Sequence, residues 1–269
     1  MKFRRIIGAL CCGALVLALT ACEEKTGPEP TGYQATGQNN PNVPKNEYRE
    51  DAFVSVGGFT IYTAADAASH IGIDVSTHQG VIDWQQVKMA GVEFAMIRTG
   101  YRGYTGGDIY QDANFEANIQ GALAAGLDVG VYFFSQAVSE EEAVEEARAI
   151  LDWIAEYDVT YPVVFDWEEI TQEEARTDEV EPEVVTECVK AFCNTIQEAG
   201  YIPMVYFNKN QGYEIMNLEE LEGYEFWLAG YSESPSFEYA FEMWQYSSTG
   251  TVPGIEGNVD LNICLVDYE

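Results

Sequence analysis

From residue 70 to the end of the chain, short apolar runs rich in β-branched and aromatic residues recur, and amphipathic stretches separate the early ones. The runs are IGIDVS (71–76), EFAMIRTGY (93–101), LDVGVYFFS (127–135), YPVVFDWE (161–168), IPMVYFN (202–208), EFWLAGY (225–231), FEMWQYS (241–247) and VDLNICLV (259–266). Between them lie the helix candidates DWQQVKMAG, DANFEANIQGALAAG, SEEEAVEEARAILDWIAEY and EPEVVTECVKAFCNTIQEAG. Ser139 with Glu142 three residues on opens the third as a capping box, and Gly91, Gly126 and Gly200 close the others. After the fifth run only a short helix over NLEELEG fits, and loops join the last three strands. This alternation predicts a parallel α/β fold, and eight strands predict a closed barrel. A doubly wound open sheet is the alternative, and no Gly-rich phosphate loop follows any strand to favour it for a nucleotide binder.

In such a barrel the chemistry gathers at the C-terminal strand ends. The fourth run breaks there into Asp166, Trp167, Glu168 and Glu169. Side chains alternate along a strand, so Asp166 and Glu168 share the face of Val164 and point at the axis, while Trp167 and Glu169 point away. Asp74 ends the first strand and can converge on the pair. Asp260 begins the last strand, and it reaches the same rim only if that strand runs antiparallel or if Asp260 lies in the preceding loop. Clustered carboxyls raise one another's proton affinity, so one can serve as a general acid while another stays ionised. Glycosidic cleavage needs that division, and Glu168, with the longer reach, is the expected acid. Tyr101, Tyr132, Phe134, Tyr206, Trp227, Tyr231, Trp244 and Tyr246 crowd the strand ends, which suits a carbohydrate groove, although such aromatics taken singly are more often core. Arg98 ends the second strand, where it can pair with Asp74 or Asp166 or bind a substrate acid. The expected substrate contacts are Arg98, Tyr132, Tyr206, Trp227, Tyr231, Trp244 and Gln245. No cofactor or metal is expected: His70 and His78 form no transition-metal motif, and no loop carries regularly spaced oxygen ligands.

The chain begins MKFRRIIGALCCGALVLALTAC, a basic start and an apolar stretch too short to span a bilayer comfortably, which reads as a signal peptide over 1–21. Leu19-Thr20-Ala21-Cys22 resembles the lipobox of bacterial lipoproteins, which implies lipidation at Cys22 and an extracytoplasmic, membrane-anchored protein at the cell surface. Residues 22–50, rich in Pro, Gly, Asn and Glu without apolar period, read as a flexible tether, leaving a domain over 51–269 with its core at 71–269. The formal charge is −32, and losing Lys2, Arg4 and Arg5 with residues 1–21 takes it to −35. Such a field disfavours nucleic acid and anionic surfaces. Cys188, Cys193 and Cys264 remain in the domain; Cys188 and Cys193, five apart on one helix, are badly placed to pair, so no disulfide framework is expected.

The segments GIDVSTHQGVIDW, MIRTGYRGYTGGDIYQDANFEANIQGALAAGLDVGVYFFSQA, YPVVFDWEE, FWLAGY and MWQYSSTGTVPGIEGNVDLN, in this order over about residues 71–269, resemble the glycoside hydrolase family 25 lysozymes. Chitinase-like barrels carry a related ending but with a further Asp where this chain has Val164. The resemblance implies a single modified (β/α) barrel, five strand–helix units followed by three strands. It also implies N-acetylmuramidase activity on peptidoglycan glycan strands; a monomer is expected. By it Glu168 matches the proton donor, and Asp166 the carboxylate that either attacks the anomeric carbon or orients the 2-acetamido group. Asp74 and Asp260 match the acids of the opening and closing motifs.

Overall fold

The computed structural model describes residues 33–171 and 174–268. The signal segment 1–21, the lipidation site Cys22 and residues 23–32 lie outside them. A hairpin comes first, β1 (Phe53–Val56) and β2 (Phe59–Tyr62). Its two-residue turn, Gly57-Gly58, holds both residues at positive φ (62° and 94°), a conformation that glycine adopts without a Cβ clash. The hairpin forms a two-stranded sheet of its own rather than extending the barrel.

The barrel follows: β3 (His70–Val75), α1 (Trp84–Met89), β4 (Phe94–Arg102) with a short antiparallel partner β5 (Ile109–Gln111), α2 (Phe115–Ala124), β6 (Asp128–Ser135), α3 (Glu140–Ile154), β7 (Val163–Trp167), α4 (Pro182–Glu198), β8 (Pro203–Asn208), β9 (Glu225–Ala229), β10 (Met243–Gly250) and β11 (Val259–Cys264). Neighbouring strands from β3 through β10 pair in parallel, and β11 runs antiparallel between β10 and β3 to close the ring. The alternation read from the sequence thus becomes an eight-strand closed barrel of the α/β class. Ser139 caps α3 by accepting from the Glu142 backbone N–H, while the Glu142 carboxylate accepts from the Val138 N–H, one residue before the box pattern. Gly91, Gly126 and Gly200 all hold positive φ after their helices.

Residue parity divides the core. Val163, Phe165 and Trp167 on β7, Val205 and Phe207 on β8, and Phe226 and Leu228 on β9 face the outer layer. Phe94, Met96, Val164, Met204, Trp227 and Met243 fill the barrel interior. Two glycines make that filling possible: a Cβ on Gly72 would sit 2.1 Å from the Phe94 ring, and one on Gly130 would sit 2.6 Å from Met96.

Two expectations change. Residues 34–50 do not hang free. Val43 is buried, Thr36 and Gly37 donate backbone hydrogen bonds to Met216 and Tyr213, and Lys45 pairs with Glu238 at 2.7 Å. A polar composition hid this because the strap is held through its backbone and amides, which leave no hydrophobic period. NLEELEG forms turns rather than a helix, with i→i+3 bonds at Glu220 and Leu221 that bury Leu218 and Leu221. The helical turn after β8 is instead a five-residue π-turn over Gln211–Ile215.

Candidate active site

The inward positions nearest the C-terminal strand ends are polar. Asp74 lies on β3, Arg98 on β4, Tyr132 and Phe134 on β6, Asp166 at the end of β7 with Glu168 just beyond, and Tyr206 on β8. Trp227 follows on β9, Gln245 on β10 and Asp260 on β11, and together they line one pocket of about 260 Å³. Because β11 is antiparallel, its N-terminal Asp260 sits directly opposite Asp74, which meets the condition the sequence left open. Trp167, with the opposite parity, is buried in the outer layer.

Of the expected substrate contacts, Trp244 is a correction. It stands on β10 one residue from the inward Gln245, in register with the outward Leu228, so parity turns it away from the pocket. It is fully buried against Phe53 of the hairpin and donates Nε1–H to the Gly230 carbonyl. Arg98, Tyr132, Tyr206, Trp227, Tyr231 and Gln245 do line the pocket, and Tyr231 is 60% exposed at its mouth. Arg98 pairs with neither Asp74 nor Asp166. Its Nε and Nη2 reach Asp112 at 2.8 and 2.7 Å, and Asp112 also accepts from the Thr77 and Asn114 backbone N–H groups.

Asp74 is held by amides. Gln245 Nε2 and Asn262 Nδ2 both donate to Asp74 Oδ2 at 2.8 Å, while Tyr206 and Tyr231 hydroxyls donate to Gln245 Oε1 and the Trp227 indole donates to Asn262 Oδ1. This chain fixes which way each amide faces. Asn262, two residues after Asp260 and fully buried, was visible in the closing VDLN segment, but nothing in its residue type announced a role. Asp112 was equally silent, because its partner Arg98 is distant in sequence.

Burial pushes the Asp74 carboxyl up to about 8, with Asp260 adding to the rise and the two amide donors opposing it. Burial, then Glu168 and Asp74, hold Asp166 well above the ordinary carboxylate range, against the pull of Arg98. Burial and the Asp260 charge raise Glu168, and burial raises Asp260 to about 6. Asp166 Oδ1 is buried without a hydrogen-bond partner in the protein. Such an acceptor calls for a donor from outside.

The backbone carrying the pair is clamped where β7 leaves the sheet. Gln211 Nε2 donates to the Trp167 carbonyl at 2.5 Å, and Gln136 Nε2 donates to the Glu168 carbonyl at 2.8 Å. Gln136 Oε1 in turn accepts from the Thr177 hydroxyl. Arg176, in the same loop after β7, pairs with Glu142 at 2.6 Å on α3, beside the buried pair of Arg102 and Glu146 at 2.7 Å. Sequence reading missed both glutamines, since a buried Gln leaves no periodic mark.

An α/β barrel that gathers four carboxyls and an aromatic wall at the C-terminal strand ends has the architecture of barrels directed at glycosidic bonds. The chain belongs, more narrowly, to Glycosyl hydrolases family 25, which it matches over residues 73–255. It is 27% identical over 192 residues to the autolytic lysozyme of Clostridium acetobutylicum, covering 71% of this chain and 54% of that protein. It is 29% identical over 215 residues to lysozyme M1 of Streptomyces globisporus, covering 74% and 68%. The fold is similar to that of the modular autolysin LytC from Streptococcus pneumoniae, with TM-score 0.64, 24% identity and coverage of 79% and 52%. LytC is also known in complex with a synthetic peptidoglycan ligand. The chain thus spans about half the length of the clostridial lysozyme and of LytC (54% and 52%).

Proposed function

We propose that this protein is an N-acetylmuramidase: it hydrolyses the β-1,4 bond between N-acetylmuramic acid and N-acetylglucosamine in peptidoglycan, with retention of configuration. It acts outside the cytoplasm as a monomer, held to the membrane through lipid on Cys22. The observation that carries this reading is the unpartnered Asp166 Oδ1 on the wall of a pocket shared with Glu168. A 2-acetamido N–H supplies the missing donor, and an acetamido group so oriented places its own carbonyl oxygen against the anomeric carbon. Asp166 and Glu168, two residues apart at one strand end, sit on the same side of the rim rather than flanking the bond, which favours attack by the acetamido oxygen over attack by Asp166. An N–H bond to Asp166 also favours its charged form, so substrate draws the carboxylate into the state that stabilises the positive charge developing at the sugar.

Glu168 protonates the leaving oxygen. Its raised proton affinity keeps it protonated closer to neutral pH than an ordinary glutamate, and once deprotonated it activates the water that opens the oxazolinium intermediate. Asp74, fixed by Gln245 and Asn262, raises the proton affinity of Asp166, and Asp260 raises that of Glu168. Tyr132, Tyr206, Trp227 and Tyr231 give the sugar apolar walls, and Arg98 balances the acidic floor. The activity shared by relatives named lysozymes supports the substrate class. Digestion of purified peptidoglycan, with mass spectrometry of the reduced products, tests the reading: new muramic acid reducing ends are expected. Glucosamine reducing ends, or no products from several walls, would overturn it.

A further inference from the structure

We infer that Tyr101 and Tyr110 form an outer sugar-binding platform that receives a pyranose ring of the glycan strand after it leaves the catalytic pocket. The inference rests on the muramidase reading for the identity of the strand. Beyond Arg98 the β4 strand carries an irregularity, between Arg98 and Gly100, which resets its parity. A Cβ on Gly100 would meet Trp153 of α3, and Arg102 pairs with Glu146 of α3, so these two positions face the outer helices. Tyr101, between them, faces the opposite way, toward the axis side of the rim. Tyr110 on β5 is its register partner and so shares that face.

The two rings stack with centroids 5.4 Å apart and planes 28° from parallel. They remain 36% and 47% exposed, among the few large hydrophobic side chains of the described residues that the fold leaves uncovered. The platform is continuous with the pocket through one residue. Arg98 lines the pocket, and its guanidinium carbon lies 5.7 Å from the Tyr101 ring centroid. Asp112 at 2.7 Å fixes Arg98 in that position. Two part-exposed aromatic rings at a rim suit the C–H faces of a pyranose, and the neighbouring Arg98 suits the carboxylate that a lactyl-bearing sugar carries. A peptide or protein partner would need a broader apolar patch than two rings.

The test compares wild type with Tyr101→Ala, Tyr110→Ala, the double variant and the double Phe variant. Each is assayed on long peptide-free glycan strands and on a minimal tetrasaccharide too short to reach the platform. Binding of long strands is read in the Glu168→Gln background. The ratio of kcat/KM on long strands to that on the tetrasaccharide is expected to fall about threefold for each Ala variant and about tenfold for the pair, with the Phe pair close to wild type. Strand binding by the Glu168→Gln protein is expected to weaken in parallel. An unchanged ratio and unchanged binding overturn the platform. If the wild type cleaves nothing but strand binding still depends on the pair, the platform stands and the proposed reaction fails.

Discussion

Replacing Asn262 by Asp changes almost no volume but exchanges the amide donor that faces Asp74 Oδ2 for a second carboxyl, while keeping an acceptor for the Trp227 indole. The lost hydrogen bond is worth about 1.5–3 kcal/mol where Asp74 is ionised, near and above its raised pKa of about 8. Asp74 already keeps its proton up to about pH 8, and two ionised carboxyls about 4 Å apart would repel by about 4 kcal/mol at the effective dielectric of a protein site, so the folded variant holds a proton on the new, fully buried carboxyl as well. The introduced carboxyl therefore has a folded pKa raised above its unfolded value, and the folded state binds more protons. The deficit is absent below about pH 4 and grows as pH rises toward the folded pKa. Combining the terms gives a deficit of about 3–4 kcal/mol at pH 8 and under about 1 kcal/mol at pH 5, where the new carboxyl's proton donates across the gap. For a domain of this size, Asn262→Asp should melt about 10 °C below wild type at pH 8 and about 2 °C below it at pH 5. Differential scanning fluorimetry of both proteins at both pH values reads this directly. An equal deficit at the two pH values, or none, would refute the placement of Asn262 as the donor that stabilises ionised Asp74.

Asp260→Asn removes the charge that, after burial, raises Glu168. Glu168 then loses its proton at lower pH, and the alkaline limb of the pH–rate profile is expected to move down; an upward move would contradict the assigned coupling. Starting the chain at Asp51 instead of Gln34 removes the strap that buries Val43 and caps Met216 and Tyr213. Losing one buried Val and several backbone bonds costs about 3 kcal/mol, a melting temperature lower by about 6–12 °C, whereas equal melting of the two proteins would show that the strap contributes nothing.

The barrel was legible because its strands are buried on two faces and its helices on one, which writes two different periods into the chain. Parity alone turned Asp166 and Glu168 inward, and the closing antiparallel strand brought Asp260 opposite Asp74. Parity would also have excluded Trp244, but only once the register against β9 was fixed, and strand register depends on pairing partners that a single sequence does not display. The strap, Asn262, Asp112, Gln136 and Gln211 act through hydrogen bonds, most of them to residues outside their own element, rather than through apolar packing. Such bonds leave no periodic trace, and Asn and Gln are residue types found mostly exposed.

The proposed role of Glu168 as the acid that protonates the leaving oxygen is tested most directly by varying the leaving group. Glu168→Gln is to be compared with wild type on peptidoglycan glycan strands and on an aryl glycoside whose nitrophenolate departs without a proton. General-acid loss predicts a fall in kcat/KM of about 10²–10⁴ on the glycan strands. On the aryl glycoside the rate of sugar-ring attack should be nearly intact. An equally severe loss on both substrates would contradict the assignment and place the proton donor elsewhere on the rim.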